Sequence, residues 1–158
     1  MVKKPVTPWE LKYKYALGAW STILKGFMYE IRERHGAAEA LEIYKMFNKR
    51  YDRIKNMTND IKDAFNIEGN DAETIEKWYD IWWELGGAEF TWFERSKTSV
   101  KQRISKRPFK TDPIDINEWD LIFGNIVVKT INPKATIKRP KGMCAGDPYC
   151  EFVYKIKE

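Results

Sequence analysis

The first part of the chain spaces its apolar residues with a helical period. Over residues 9–31 an apolar side chain recurs at every third or fourth position, which predicts one amphipathic helix. His35-Gly36 then favours a helix end, because glycine readily adopts the left-handed conformation of a C-terminal cap. A second stripe of the same period over residues 37–65 predicts one further helix.

A third helix is predicted after a cap at Asn70 or Asp71, and Gly86-Gly87 is expected to end it. Its inward positions are expected to be Ile75, Trp78, Tyr79, Trp82 and Leu85.

The period then changes to two, and residues 88–105 predict a β-hairpin. In its first strand Phe90 and Trp92 share one face, while Phe93 lies on the other. By the same alternation Glu94 falls on the face of Trp92. We therefore expect Glu94 to point inward, where it is a candidate acid or base.

A fourth helix is predicted from Asp115 or Asn117 to the stop at Asn132-Pro133. Two more strands follow at about residues 135–139 and 149–156. The order of three helices, hairpin, helix and hairpin predicts an α+β fold, with an antiparallel sheet of about four strands backed by helices.

Length and composition are those of one globular domain. The 158 residues predict a single domain, helical over about residues 9–85 and sheet-forming over about residues 88–158. No apolar run approaches the roughly 20 residues of a membrane span, and no signal peptide is recognised. We expect a cytoplasmic protein without a membrane partner.

The formal charge of +5 raises the question of nucleic acid. Most Lys and Arg residues alternate with acidic ones, and the basic runs at residues 95–110 and 134–141 accompany no nucleic-acid-binding motif. A solubilising or anion-attracting surface is therefore expected, and nucleic acid is not.

Aromatic residues form an unusually large fraction of the chain, 15% with seven Trp. Such side chains line pockets for planar or apolar ligands, but they also fill irregular cores, and both interpretations are open. The residues we expect to line a pocket are Trp92, Phe93, Trp119, Phe123 and Tyr154.

The two cysteines, Cys144 and Cys150, lie in one predicted hairpin around a Gly-Asp-Pro turn. Four interpretations are open. They are a zinc site completed by other ligands, a disulfide, an inert pair with Cys150 in the core, and a reactive thiolate at Cys144. His35 is the single histidine, so a zinc site would need carboxylates or ligands from elsewhere.

The C-terminal hairpin carries a resemblance to known proteins. The run NPK at residues 132–134 and the run GMCAGDPYCEF at residues 142–152 resemble the C-terminal motif of 4-vinyl reductase-type small-molecule-binding domains, and more closely that of the aminothiazoline-carboxylate hydrolase-like family. Residues 35–40 and 83–90 are similar to the helical part of that family, so the resemblance covers most of the chain.

The resemblance implies a compact α+β ligand-binding fold, whose relatives include sensors of aromatic effectors and a hydrolase of a cyclic thiazoline. It also implies association in pairs, so a homodimer is an expected partner. Some relatives hold zinc through a Glu and three Cys, but here Lys141 precedes Cys144 and no third Cys exists. Arg107 stands where many hydrolase-like relatives have a Cys.

Three functions follow as hypotheses. The first is a small-molecule-binding protein whose aromatic pocket lies beside the cysteine hairpin. The second is a hydrolase of a small cyclic amidine or thiazoline, with Cys144 as nucleophile and Glu94 as base. The third is a metal or thiol-redox module on Cys144 and Cys150, with zinc as the candidate metal.

Overall fold

The computed structural model describes residues 26–106 and 117–157, without the side chains of residues 51, 117–119 and 144. The chain divides into two compact units, Met1–Tyr44 and Lys45–Glu158. The expectation of one domain stays a prediction.

The first unit contains helix α1, described over residues 26–35, and the beginning of helix α2, Ala37–Tyr51. Gly36 separates the two helices with a φ of +88°, so the predicted helix end at His35-Gly36 is confirmed. The earlier part of the predicted first helix, residues 9–25, lies outside the described residues.

The prediction of one helix over residues 37–65 is wrong. Helix α2 ends at Tyr51, and helix α3 spans Arg53–Ala64. Asp52 between them has a φ of +46°, in the left-handed region. Aspartate tolerates this conformation better than most residues, and at a polar position it leaves the apolar stripe unbroken. The stripe therefore gave no sign of the interruption.

Helix α4, Ala72–Gly86, confirms the third predicted helix and both of its ends. The Asp71 side chain accepts a hydrogen bond from the Thr74 backbone N–H at 2.9 Å, and Gly87 is the left-handed C-cap. Ile75, Trp78 and Tyr79 are buried as expected. The inward placement of Leu85 is wrong, because this residue is 39% exposed near the helix end.

The remaining elements confirm the predicted α+β fold. They are strands β1 (Glu89–Phe93) and β2 (Ser99–Lys106), helix α5 (Asn117–Ile131), and strands β3 (Ala135–Lys141) and β4 (Cys150–Ile156). The strands form one antiparallel sheet in the order β1-β2-β4-β3. The last strand therefore lies inside the sheet, between β2 and β3.

One face of the sheet, which we call the inner face, packs against helices. Helix α4 contacts β2 and β4, helix α5 contacts β3, and α3 contacts both helices. The inner face carries the side chains Val100, Gln102, Ile104, Ala135, Ile137, Cys150, Phe152 and Tyr154, all of them buried. The opposite, outer face carries Phe93, Lys101, Arg103 and Glu151.

Among the described helices, none has the length and apolar character needed to cross a bilayer.

Candidate functional site

A group of aromatic and amide side chains meets between α4 and the sheet, and we call it the Gln102 cluster. Its members are Tyr79 and Trp83 of α4, Trp92 of β1, Gln102 of β2 and Tyr154 of β4. Tyr154 lies 4.9 Å from Tyr79 and 5.7 Å from Trp92 between ring centroids. The strand pairing explains why these side chains meet. Trp92 of β1 is the register partner of Gln102. Tyr154 of β4 is the register partner of Val100, which is the neighbouring inner-face residue of β2.

Gln102 is fully buried at the centre of the cluster. Its Oε1 accepts a hydrogen bond from the indole Nε1–H of Trp83 at 3.0 Å and another from the Tyr154 hydroxyl at 3.0 Å. Because an indole N–H can only donate, the atom facing Trp83 must be the oxygen, which determines the orientation of the amide. Within the part of the chain that the structure describes, the Gln102 Nε2 group has no hydrogen-bond partner. The cluster therefore holds an unpaired donor group in a place shielded from water.

Of the described side chains, the Tyr79 hydroxyl is the second buried polar group without a hydrogen-bond partner. Burial raises the pKa of this phenol far above its ordinary value of 10.0, and the Asp120 carboxylate raises it further. The Tyr154 hydroxyl opposes the rise, but the two oxygens do not meet hydrogen-bond geometry. Tyr79 is therefore a neutral phenol at physiological pH, able to donate or accept one more hydrogen bond.

Trp92, one of the aromatic side chains of the Gln102 cluster, is hydrogen-bonded to the carboxylate of Asp80. The indole Nε1–H of Trp92 donates to Asp80 Oδ1 at 2.6 Å. Partial burial raises the pKa of Asp80 above its ordinary value of 3.8, and although the Trp92 hydrogen bond opposes this, Glu76 and Glu84 add to it. The bond joins Trp92 of β1 to helix α4, and ionisation of the Asp80 carboxylate there is costly.

We expect Asp80→Asn to stabilise the protein at neutral pH. The amide oxygen can still accept from Trp92, while the charge beside Glu76 and Glu84 is gone. A raised folded-state pKa means that ionising Asp80 costs the folded state free energy. The advantage of the variant should therefore be absent below the ordinary pKa, grow as pH rises through the interval up to the raised value, and then level off. Urea unfolding of both proteins across pH 3 to 8 measures it; a constant difference at every pH would contradict the argument.

The structure separates the residues predicted to line a pocket. Trp92 and Tyr154 lie together in the Gln102 cluster. Phe123 of α5 instead contacts Trp82 and Trp78 of α4, with ring centroids 5.0 and 6.4 Å apart.

Two other residues of the predicted pocket lie elsewhere. Phe93 is on the outer face, where the Arg103 guanidinium lies 5.2 Å from its ring centroid. The side chain of Trp119 lies outside the described part of the structure.

The inward orientation predicted for Glu94 is wrong. The strand ends at Phe93, and Glu94 has a φ of +50°, so the alternation no longer applies to it. Its side chain is 62% exposed and forms an ion pair with Lys101 on the outer face. Its role as a catalytic base stays a prediction.

In the cysteine hairpin a carboxylate and a thiol accept hydrogen bonds from backbone N–H groups. Asp147 Oδ2 accepts the Gly142 N–H at 2.8 Å, and Cys150 Sγ accepts the Met143 N–H at 3.3 Å. Cys150 is buried on the inner face as a free thiol, while the side chain of Cys144 lies outside the described residues. The hydrolase and metal or redox hypotheses depend on Cys144 and therefore stay predictions.

Within the described residues, no three His, Cys, Asp or Glu side chains are grouped as metal ligands. The one histidine, His35, lies near Glu39 on the next helix, with 3.7 Å between Nδ1 and Oε1. Zinc at Cys144 and Cys150 stays a prediction.

Sequence reasoning missed Gln102, Tyr79 and Trp83 as site residues. A signal for Gln102 was present, because it alternates in phase with Val100 and Ile104 and is a polar residue at an inward strand position. Tyr79 and Trp83 are one turn apart on α4, but only the fold shows that they face β2 and β4.

No family model matches the chain, and no curated protein matches it significantly. Solved structures do match. A trafficking protein particle complex subunit 3 from Naegleria fowleri, covalently bound to palmitic acid, is 10% identical with a TM-score of 0.63, over 94% of this chain and 97% of that one. The phenol-responsive sensory domain of the transcription activator PoxR, with phenol, is 11% identical with a TM-score of 0.59, over 85% of this chain and 73% of that one.

At such identities the likeness shows the fold alone, a small α+β fold that is shared with ligand-carrying proteins. Membership of the aminothiazoline-carboxylate hydrolase-like family stays a prediction.

Proposed function

We propose that the protein binds a small, mainly aromatic molecule at the Gln102 cluster. The observation that carries the proposal is the buried Gln102 amide, whose Nε2 group has no hydrogen-bond partner among residues 26–106 and 117–157 although aromatic side chains surround it. An unpaired donor in a shielded place is costly, and a bound ligand that accepts from it offsets that cost.

The surroundings of the cluster support this proposal. Flat rings provide a large apolar contact area at little cost in side-chain entropy, and a few polar groups orient the ligand. The two structural neighbours carry an acyl chain and phenol, so the fold accommodates small apolar and aromatic molecules in other proteins.

The experiment titrates the purified protein with phenol, 4-methylphenol and palmitic acid, following tryptophan fluorescence and calorimetry. We expect saturable binding of at least one phenol, accompanied by a rise in the unfolding temperature. The absence of saturable binding for all three probes would contradict the proposal.

Two neighbouring residues of β1 provide matched variants. Trp92 belongs to the Gln102 cluster, whereas Phe93 lies on the outer face of the same strand. We expect Trp92→Leu to weaken binding of the phenols at least tenfold and Phe93→Leu to leave it unchanged. A loss caused by Phe93→Leu instead would place the ligand on the outer face.

The proposed site shares the inner face with the cysteine hairpin. Cys150 is the register partner of Ile104, the next inward residue of β2 after Gln102. A ligand at the Gln102 cluster would therefore bind two residues along the strand from the position that pairs with Cys150.

A further inference from the structure

We propose that Gln102 determines which ligands the site accepts, and that these ligands are neutral molecules presenting a hydrogen-bond acceptor oxygen, such as a carbonyl or a phenol, to the Gln102 Nε2 group. This inference rests on the proposed function, since it specifies the chemical class bound at the same cluster.

The pairing of the polar atoms supports an acceptor on the ligand. Gln102 Oε1 is occupied by two donors, from Trp83 and Tyr154, and Asp80 Oδ1 is occupied by the indole of Trp92. Among the described residues, two groups of the cluster remain without a hydrogen-bond partner: the Gln102 Nε2 group, which can only donate, and the Tyr79 hydroxyl, which can donate as well as accept. A ligand acceptor oxygen suits both groups. Because Trp83 fixes the amide orientation, the Nε2 donor cannot become an acceptor by a flip of the amide.

The charges around the cluster favour a neutral ligand. The described hydrogen bonds and ring contacts of Trp83, Trp92 and Gln102 involve no cationic side chain. A carboxylate ligand would therefore meet no counter-ion among these contacts, and burying an unpaired charge is far more costly than burying a hydroxyl or carbonyl group. Asp80 is bound to the Trp92 indole and its raised pKa reflects the same poor solvation of charge.

A ligand pair of similar size and different chemistry tests this. Acetophenone carries a carbonyl oxygen, and isopropylbenzene replaces that oxygen by a methyl group of similar size. We expect the wild-type protein to bind acetophenone at least tenfold more tightly than isopropylbenzene, and phenol at least tenfold more tightly than toluene. Benzoate should bind more weakly than acetophenone by at least the same factor.

Variants locate the preference at one residue. Gln102→Met removes the donor at similar volume, and we expect it to abolish the tenfold preference or reverse it, while isopropylbenzene still binds. Arg103→Met, the neighbouring position on the outer face, should leave the preference intact. Gln102→Met also removes the acceptor of Trp83 and Tyr154, so its fold is checked by thermal unfolding. If this variant does not fold, the wild-type affinity ratios decide by themselves.

The outcomes separate this inference from the function on which it rests. Equal or tighter binding of the hydrocarbons by the wild-type protein overturns the role of Gln102 but leaves small-molecule binding in place. An unchanged preference in folded Gln102→Met overturns it as well. Failure of all of these probes, together with the phenols and palmitic acid, overturns the proposed function and this inference together.

Discussion

Replacing Trp78 by alanine is expected to lower the free energy of unfolding by about 4 kcal/mol, the usual range for a large aromatic side chain lost from a core. Trp78 has no exposed surface, and its indole Nε1–H donates to the backbone oxygen of Thr58 at 3.2 Å. Its ring stacks on Trp82 at 5.7 Å and meets Tyr79 edge-on at 5.0 Å between centroids. The change therefore removes a hydrogen bond between α3 and α4 and leaves the Thr58 oxygen without this donor.

Urea unfolding followed by circular dichroism measures the loss, and the same helix provides the control. Leu85→Ala removes an apolar side chain that is 39% exposed, so we expect a cost of about 0.5 kcal/mol or less. Similar costs for the two variants would show that Trp78 does not join the helices as the structure has it.

Arg139→Met is expected to destabilise the protein by about 2 to 3 kcal/mol, because it removes the Arg139 cation from a partly buried carboxylate. Arg139 of β3 has a side chain only 4% exposed, and its Nη1 lies 3.1 Å from Asp120 Oδ2 of α5, which is 25% exposed. The pair joins the edge strand to the helix that covers it, and the Asp120 carboxylate also acts on the pKa of Tyr79. The variant with both residues changed should therefore lose less free energy of unfolding than the sum of the losses in the two single variants.

An exposed ion pair provides the comparison for this second variant. Lys77 and Glu73 lie 2.8 Å apart on α4 with both side chains largely in solvent. We expect Lys77→Met to cause no measurable change, since such pairs are screened and cost side-chain entropy. A double-mutant cycle of Arg139→Met with Asp120→Asn, measured by denaturant unfolding, gives the coupling. Strict additivity would contradict a direct interaction between the two groups.

The helix ends of the second unit illustrate what could be predicted. Asp71 and Gly87 are local signals, because a cap is formed by one side chain and its own neighbouring backbone, and a left-handed turn is easiest for glycine. The break at Asp52 has no such signal. An aspartate in the left-handed region lies at a polar position, and the apolar stripe passes over it unchanged.

The face of a residue could be predicted from alternation only for residues that lie within a strand. Alternation correctly placed Trp92 and Phe93 on opposite faces, but it did not show that Phe93, expected to line the pocket, lies on the outer face. It failed for Glu94, where the positive φ ends the strand. A periodic pattern contains no information about the residue at which the backbone leaves the extended region.

The candidate site was predicted in part. Aromatic excess pointed to Trp92 and Tyr154, which the structure brings together. The cysteine motif drew attention to Cys144 and Cys150, while the polar centre of the cluster is a glutamine on another strand. Gln102 and Tyr154 are 52 residues apart and meet because β4 pairs with β2.

The sequence alone determined the fold class, the helix ends at glycine and aspartate, and the inward faces of the strands. Each of these depends on periodicity or on the backbone preference of a single residue. The strand order, the meeting of Trp83, Gln102 and Tyr154, and the unpaired Nε2 group were decided by the packed chain. Hydrogen-bond pairing between distant segments is a property of their relative placement, and whether a buried donor has a partner can be known only once every neighbour is in place.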